Sequence, residues 1–168
     1  SWADYRAQLD VSGPLNAAGS LRGRAVVFDN QANFEPSGAV RAYDPITGKM
    51  AWAWDAGHTP ENWLPQGDET LTRDTPNAWG VYTADPALGL LYIPTGNATP
   101  DYYAGHRTEL DNKFSGSVLG INADNGKLVW NFQTTHYDVW DYDVASQPSL
   151  LDLKIQGETV PVLVQPTK

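Results

Sequence analysis

Cysteine is absent from the 168-residue chain. Its absence excludes disulfides, thiolate metal sites and thiol catalysis, and it leaves the redox compartment undetermined. Basic residues are also scarce, since 11 Lys and Arg face 20 Asp and Glu and the net charge is -9. Such a negative surface argues against nucleic acid and against anionic membrane surfaces as partners. The partners that we expect are small or neutral molecules.

Long apolar runs are missing too. No stretch reaches the length that spans a membrane, and no signal-peptide pattern opens the chain. The chain begins with Ser1 rather than with methionine. We therefore expect a segment of a longer protein, and any attachment to a membrane would lie in other segments of that parent.

Aromatic and turn-forming residues are abundant, with 7 Trp, 8 Tyr, 15 Gly and 12 Pro. This composition favours short strands and many turns over helices, and it predicts an all-β fold. Turn formers such as DPITG, DPALG and ADNG separate the apolar stretches, which predicts consecutive antiparallel hairpins. The stretches of strand length are RAVVFDN (24–30), GAVRAYD (38–44), KMAWAW (49–54), WGVYTAD (79–85), GLLYIPTG (89–96), GSVLGINAD (116–124), KLVWNFQT (127–134) and PVLVQPT (161–167).

An internal repeat links two of these hairpins. The segments YDPITGKMAW and INADNGKLVW share one frame, in which the paired positions are Asp44 and Asn122, Gly48 and Gly126, Lys49 and Lys127, and Trp52 and Trp130. The Asx side chain can bond the turn that follows it, and the Gly can take the left-handed position. We expect each Trp to fill the gap to a neighbouring unit, as stacked sheets require.

The two copies lie 78 residues apart, which exceeds the roughly 40–50 residues of a plain four-stranded propeller blade. The surplus falls in 55–78 and 97–114, which lack strand periodicity and are typical of long functional loops. We predict one blade at about 12–57, a second at about 78–136 and half of a third at about 144–168.

The segments WGVYTADPALGLLYIPTGN (79–97) and DNKFSGSVLGINADNGKLVWNFQTTHYDVWDYD (111–143) resemble the PQQ-dependent quinoprotein dehydrogenases. Their membrane-bound glucose, quinate and polyol branch is the most similar, and the resemblance covers essentially the whole chain. It implies an eight-bladed β-propeller with PQQ over Ca²⁺ or Mg²⁺ near the axis. The chain would supply about two and a half four-stranded antiparallel blades with tryptophan-docking motifs.

The resemblance assigns three residues to the redox chemistry. Asp141, the second aspartate of HYDVWD, matches the catalytic base of the family. Trp79 lies 18 residues before Asn97, as does the tryptophan that forms the floor under PQQ, and Asn97 is also implied to lie at the cofactor. Lys168 lies 27 residues beyond Asp141 and matches the cation that contacts the quinone oxygens.

The resemblance also implies a set of metal ligands. Asn97 of PTGN matches a ligand of the alcohol-oxidising members, and Thr99 is its substitute. Asp29 and Asn30 match an Asp-Asn pair proposed as ligands in membrane glucose dehydrogenases, with Glu35 as the alternative in the same loop. Hard cations take carboxylate and amide oxygens, so these residue types suit Ca²⁺ or Mg²⁺.

The chemistry of alcohol oxidation calls for the same components. A hydroxyl proton and a hydride must leave, and since no side chain accepts a hydride, a cofactor is required. The protein then supplies a base, a cation and a surface that fixes a flat ring. Asp141 would be the base, the metal and Lys168 the cations, and Trp79 the surface.

Each of these residues also has a plainer interpretation. An aspartate in a turn is usually a cap, and Asp138 fits the role of base as well as Asp141 does, as does Asp143. Asn97 after a glycine is typical of a left-handed turn, and an isolated Trp79 is typical of a core. The remaining residues would be ordinary too, Lys168 as a solvated charge and Asp29 with Asn30 as the turn that ends a strand.

The parent enzyme would oxidise a sugar, polyol or cyclitol of the glucose or quinate type. The resemblance implies that electrons pass to ubiquinone at the periplasmic face of the bacterial inner membrane. We expect these 168 residues alone to be inactive, because a cofactor on a propeller axis needs loops from most blades. The alternative is a non-catalytic propeller scaffold for protein partners, which would need the repeated tryptophans but not the site residues.

Overall fold

The strands follow the turn-rich sequence closely. The computed structural model describes residues 4–10, 24–30, 39–58, 72 and 76–168. Within them the elements are β1 Asp4–Asp10, β2 Arg24–Asn30, β3 Val40–Tyr43, β4 Met50–Trp54, β5 Thr83–Asp85, β6 Leu90–Pro94, α1 Glu109–Phe114, β7 Ser117–Asn122, β8 Leu128–Gln133, β9 Ser149–Ile155 and β10 Glu158–Val164. The all-β prediction is confirmed, with one short helix in addition.

All strand pairs in the described part of the chain are antiparallel neighbours in sequence. Strands β5, β6, β7 and β8 form a four-stranded sheet inside the predicted blade 78–136. Strands β9 and β10 form a hairpin inside the predicted half-blade 144–168. Strand β3 pairs with β4, and β2 lies beside β3.

The first predicted blade, at about 12–57, begins too late to contain β1. Strand β1 pairs with β2 along its whole length, from Asp4 opposite Asn30 to Asp10 opposite Arg24. The segment DYRAQLD alternates polar residues with Tyr5, Ala7 and Leu9, which is the period of a strand, but it has no continuous apolar run and is therefore not among the predicted strands. The blade predicted at about 12–57 is not tested by these pairs and stays a prediction.

The two repeated turns are built alike. One side-chain oxygen of Asp44 accepts the N–H groups of Ile46 and Thr47, at 2.9 and 2.8 Å. The side-chain oxygen of Asn122 likewise accepts the N–H groups of Asp124 and Asn125, at 3.0 and 3.2 Å. Gly48 and Gly126 close the turns at φ of 69° and 73°, which L side chains rarely adopt. The predicted turn chemistry of the repeat is confirmed.

Trp52 joins the first repeat to the second. Its ring is 2% exposed, and its Nε1 donates to the carbonyl of Ala123 at 3.0 Å. A Cβ placed on Gly126 would lie 2.5 Å from the Trp52 ring, so the indole packs directly against this glycine. The turn of the second repeat is therefore the docking surface for the tryptophan of the first.

Trp130 packs within its own sheet. A Cβ on Gly120 of β7 would lie 2.5 Å from its indole, and the ring of Tyr92 on β6 lies 5.8 Å away. The indole of Trp130 is only partly buried. Its docking against a further unit stays a prediction.

Helix α1 lies in the segment 97–114, which we predicted to be irregular. Thr108 caps the helix and accepts the N–H of Asp111 at 3.1 Å, while Asp111 accepts the N–H of Thr108 at 2.8 Å. The helix places Phe114 in the core, with its ring edge-on to Trp54 at 5.3 Å. In the described part of the chain no helix has the length and apolar character to cross a membrane.

Candidate active site

The segment Thr95-Gly96-Asn97 leaves strand β6 in a fixed position. The Thr95 hydroxyl is fully buried, donates to the carbonyl of Phe114 at 2.6 Å and accepts the N–H of Ser117 at 2.9 Å. The carbonyl of Thr95 accepts the N–H of Val144 at 3.2 Å. This last bond brings the loop after β8 alongside the loop after β6.

Asp138 shapes the loop that carries Asp141. Its carboxylate is fully buried and accepts the N–H of Trp140 at 2.8 Å and that of Tyr142 at 2.6 Å. Asp141 lies between these two donors with φ of 62°, in the left-handed region. Because both oxygens of Asp138 bind backbone donors, this carboxylate is a structural cap.

Asp143 bridges two other segments. One oxygen of its carboxylate accepts the backbone N–H of Asn97 at 2.6 Å, and the other accepts Nε1 of Trp79 at 3.1 Å. Burial raises the pKa of the Asp143 carboxyl above its ordinary value, the Asn97 N–H opposes this shift, and the charge of Asp141 adds to it. Two donors and a partly desolvated carboxylate hold this junction together.

Asp141 differs from Asp138 and Asp143, whose carboxylates are engaged in hydrogen bonds. Its side chain is partly exposed and accepts no hydrogen bond from any residue in the described part of the chain. The ammonium of Lys168 donates to the backbone carbonyl of Asp141 at 3.2 Å and lies 6.0 Å from the ring centre of Tyr142. Of the three candidate bases, Asp141 is the one whose carboxylate binds no group among the residues that the structure describes.

Asn97 is buried, with 2% of its surface exposed. Its Nδ2 donates to the carbonyls of Asp101 and Asp138 at 2.7 and 3.3 Å, and its Oδ1 accepts the N–H of Ala98 at 3.0 Å. Its φ is not positive, so the interpretation as a left-handed turn residue is wrong. The amide ties the two loops together and leaves one lone pair on Oδ1 for another ligand.

Trp79 is not a core residue. Its side chain is 43% exposed and is anchored through the indole nitrogen. The structure therefore brings Trp79, Asn97, Asp141 and Lys168 to one group of loops, although the first and last of them are 89 positions apart in the sequence.

Arg107 is a further member of the site that the sequence analysis missed. Its guanidinium donates to the carbonyl of Asp138 and to those of Ala98 and Asp101, the last two at 3.3 and 3.2 Å. It therefore joins the loop after β6 to the loop after β8. The partners are all backbone carbonyls, so no pattern of opposite charges in the sequence points to them.

Asp101 adds another carboxylate to the same loops. Burial raises the pKa of its carboxyl, the charges of Asp141 and Asp143 raise it further, and Arg107 opposes them. Even so, the described part of the chain contains no group of three or more His, Cys, Asp or Glu that could hold a metal ion. A metal here would need oxygen donors of other kinds or from elsewhere.

The predicted metal ligands are only partly described. Asp29 and Asn30 end strand β2, and their side chains lie outside the described part of the structure, as does Glu35. Thr99 is half-buried and its hydroxyl binds no other group among the described residues. Of the predicted ligands whose side chains are described, Thr99 and Asn97 thus each have an oxygen that can accept a further ligand.

The sheets are antiparallel, Trp52 docks one of them against the next, and the loops after β6 and β8 lie together. This arrangement is typical of a β-propeller. Residues 6–168 match the PQQ family model described as "Glucose/ethanol/alcohol dehydrogenase, beta-propeller domain". The chain belongs to this family. The resemblance to PQQ-dependent dehydrogenases and the predicted propeller of antiparallel blades are thereby confirmed.

Proteins with sequences similar to this chain are named as quinoprotein or quinone-linked dehydrogenases. Quinoprotein glucose dehydrogenase A of Acinetobacter calcoaceticus is 50% identical over 143 residues, which are 84% of this chain and 18% of that protein. The quinate/shikimate dehydrogenase (quinone) of Acinetobacter baylyi is 37% identical over 159 residues, 94% of this chain and 20% of that protein. This chain thus spans about a fifth of the length of these relatives.

Solved structures show the same fold. The quinohemoprotein alcohol dehydrogenase ADHIIG of Pseudomonas putida HK5 superposes with a TM-score of 0.65 at 31% identity, over 86% of this chain and 23% of that one. A europium-containing methanol dehydrogenase superposes with a TM-score of 0.64 at 28% identity, over 86% of this chain and 28% of that one.

Proposed function

We propose that this chain is part of a PQQ-dependent dehydrogenase that oxidises a hydroxyl group of a sugar, polyol or cyclitol. The observation that carries the proposal is the free carboxylate of Asp141, which lies on the loops that also present Trp79 and Lys168. Relatives named for glucose, glycerol and quinate support this range of substrates. Glucose and quinate are the substrate types that we favour.

Each side chain has a task in this reaction. The Asp141 carboxylate takes the proton of the substrate hydroxyl, since it is the one aspartate of its loop whose oxygens bind no other described residue. PQQ, when bound, supplies the acceptor for the hydride. The exposed indole of Trp79 supports a flat ring, and the ammonium of Lys168 compensates negative charge on a polyanionic quinone.

The residues present fit such a cofactor at Trp79, Asp141 and Lys168. For a Ca²⁺ or Mg²⁺ ion, the ligands that we propose are Asp29 with Asn30 or Glu35, together with Asn97 or Thr99. Among these, Thr99 and Asn97 each have an oxygen that can accept a further ligand in the described structure. The cation would polarise the carbonyl oxygen of the cofactor.

The setting of the parent protein is also part of the proposal. The family resemblance supports transfer of electrons to ubiquinone at the periplasmic face of the inner membrane. The chain alone should not turn over, because the loops of two and a half blades leave most of a propeller axis uncovered.

The test is the substitution Asp141→Asn in the full-length protein that contains this chain. We expect turnover of glucose or quinate with an artificial electron acceptor to fall by about a hundredfold to ten thousandfold, the usual contribution of a positioned base. Binding of PQQ should stay within about threefold, because the backbone carbonyl that receives Lys168 is unchanged.

The matched control is Asp152→Asn, which neutralises an exposed carboxylate on β9. This variant should oxidise substrate at the rate of the unmodified protein. If Asp141→Asn also keeps that rate, the assignment of Asp141 as the base is wrong.

A further inference from the structure

The carboxylate of Asp143 is the point at which three segments of the chain meet. It accepts the indole N–H of Trp79 and the backbone N–H of Asn97, which lie 64 and 46 positions away in the sequence. Both oxygens are engaged, each by a different segment. Two such bonds from one carboxylate fix the distance and the angle between the partners, because charge-assisted hydrogen bonds are short and directional.

The space around this junction is filled. A Cβ on Gly96 would lie 2.8 Å from Oδ1 of Asp143, 3.0 Å from Nε1 of Trp79 and 3.1 Å from Oδ1 of Asn77. Real Cβ contacts essentially never fall under 3.0 Å, so the glycine is what allows the carboxylate and the indole to approach. The junction is therefore close-packed on the side of Gly96.

Stability alone does not account for a carboxylate at this position. Asp143 is half-buried and lies two positions along the chain from the carboxylate of Asp141. Removing a carboxylate from water close to a like charge is unfavourable, and a neutral side chain would avoid this cost. Trp79, in contrast, is 43% exposed, and its indole nitrogen is anchored by Asp143.

We propose that Asp143 is a positioning residue that sets the plane of the Trp79 indole against the planar cofactor and locks it to Asn97. This inference rests on the proposed function, in which Trp79 is the floor under PQQ. Asp143 does not touch substrate in this role. Asp143 joins the Trp79 indole to the loop that carries the proposed metal ligands Asn97 and Thr99, so that the two move as one unit.

The experiment compares PQQ affinity of the metal-loaded, PQQ-free full-length protein with that of Asp143→Asn. The asparagine keeps the shape of the side chain but replaces one acceptor oxygen with an NH₂ group, which cannot accept a bond. Loss of a hydrogen bond to a charged group should weaken PQQ binding by about tenfold to a hundredfold in an equilibrium titration. Asp152→Asn is the matched control and should bind PQQ normally.

A second pair of variants separates positioning from folding. Trp79→Phe keeps an aromatic floor but removes the indole N–H, so the same loss of affinity is expected with Asp143 intact. In the Trp79→Phe background, Asp143→Asn should then weaken PQQ binding by less than about threefold, because the bond is already absent. If Asp143→Asn does not fold, Trp79→Phe decides alone.

The outcomes distinguish this inference from the proposed function. If the unmodified protein binds PQQ and both Asp143→Asn and Trp79→Phe bind it equally well, the positioning role is overturned and the proposed function stands. A purely structural role predicts lower thermal stability with unchanged PQQ affinity, which also overturns the inference. If the unmodified protein does not bind PQQ in the presence of Ca²⁺ or Mg²⁺, both proposals are wrong.

Discussion

Gly126 and Gly48 occupy the same position in the two repeats, and in the described part of the chain Gly126 faces a tryptophan whereas Gly48 does not. Both have positive φ, 73° and 69°, so alanine at either position is strained by about 1–2 kcal/mol. Among the described residues a Cβ on Gly48 meets no atom within 4 Å, whereas a Cβ on Gly126 would lie 2.5 Å from the Trp52 ring. The pair therefore separates backbone strain from the packing of tryptophan between sheets.

The magnitude follows from what the methyl group displaces. Forcing an extra carbon into packed space costs about 1–3 kcal/mol. A shifted Trp52 ring would also weaken its bond to the carbonyl of Ala123, now 3.0 Å long, which is worth about 0.5–1.5 kcal/mol. We expect Gly126→Ala to lower the free energy of unfolding by about 1–4 kcal/mol more than Gly48→Ala does.

The assay is urea unfolding of the full-length protein, followed by tryptophan fluorescence and compared between the two single variants. A double-mutant cycle with Trp52→Ala then isolates the contact. In the absence of the indole, Gly126→Ala should cost no more than Gly48→Ala. A coupling energy near zero between Gly126→Ala and Trp52→Ala would refute the view that Trp52 docks the sheets through Gly126.

Two further predictions concern buried hydroxyls. Thr95→Val should destabilise the protein by about 1–3 kcal/mol, because the fully buried hydroxyl donates to the carbonyl of Phe114 and accepts the N–H of Ser117. An unchanged midpoint of urea unfolding would contradict this prediction. Burial and, secondly, the charge of Asp85 raise the pKa of Tyr92, so the native state keeps the phenol proton that the unfolded state loses. Stability should therefore be level below about pH 10 and fall above it, and the part due to this residue should vanish in Tyr92→Phe when unfolding is measured from pH 8 to 11.

The turns and sheets could be predicted because their chemistry is local. An Asx residue, a glycine at positive φ and an alternating apolar strand all lie within one short segment, so the frame around Asp44 and Asn122 is visible in the sequence. Strand β1 was missed although DYRAQLD alternates polar and apolar residues, because the predicted strands were chosen by their apolar runs and this segment has none. Helix α1 was missed because it is six residues long and its capping box uses Asp111 where glutamate or glutamine is usual.

The candidate site shows a similar division. Asp141, Asn97, Trp79 and Lys168 could be named from their spacing in a family pattern. The bonds that assemble them could not, since Asp143 reaches Trp79 across 64 positions and no local rule fixes such a contact. The hydrogen bonds of the structure also distinguish Asp138, Asp141 and Asp143 from one another, whereas the sequence offers the three as equivalent candidates.

Arg107 illustrates the limit most clearly. A single arginine before a helix reads as a surface charge, because its partners are carbonyl groups that every residue carries. Only the folded loops show that it connects Ala98 and Asp101 to Asp138. Residues that position a site through backbone contacts leave no trace in a pattern of side chains.

The most direct test of the central claim is a crystal structure of the full-length protein with PQQ bound. We predict that the quinone ring lies against the indole of Trp79, with the Asp141 carboxylate at its edge and the Lys168 ammonium beside its oxygens. A structure in which PQQ lies away from Trp79, or in which the Asp141 carboxylate points away from the ring, would contradict the claim.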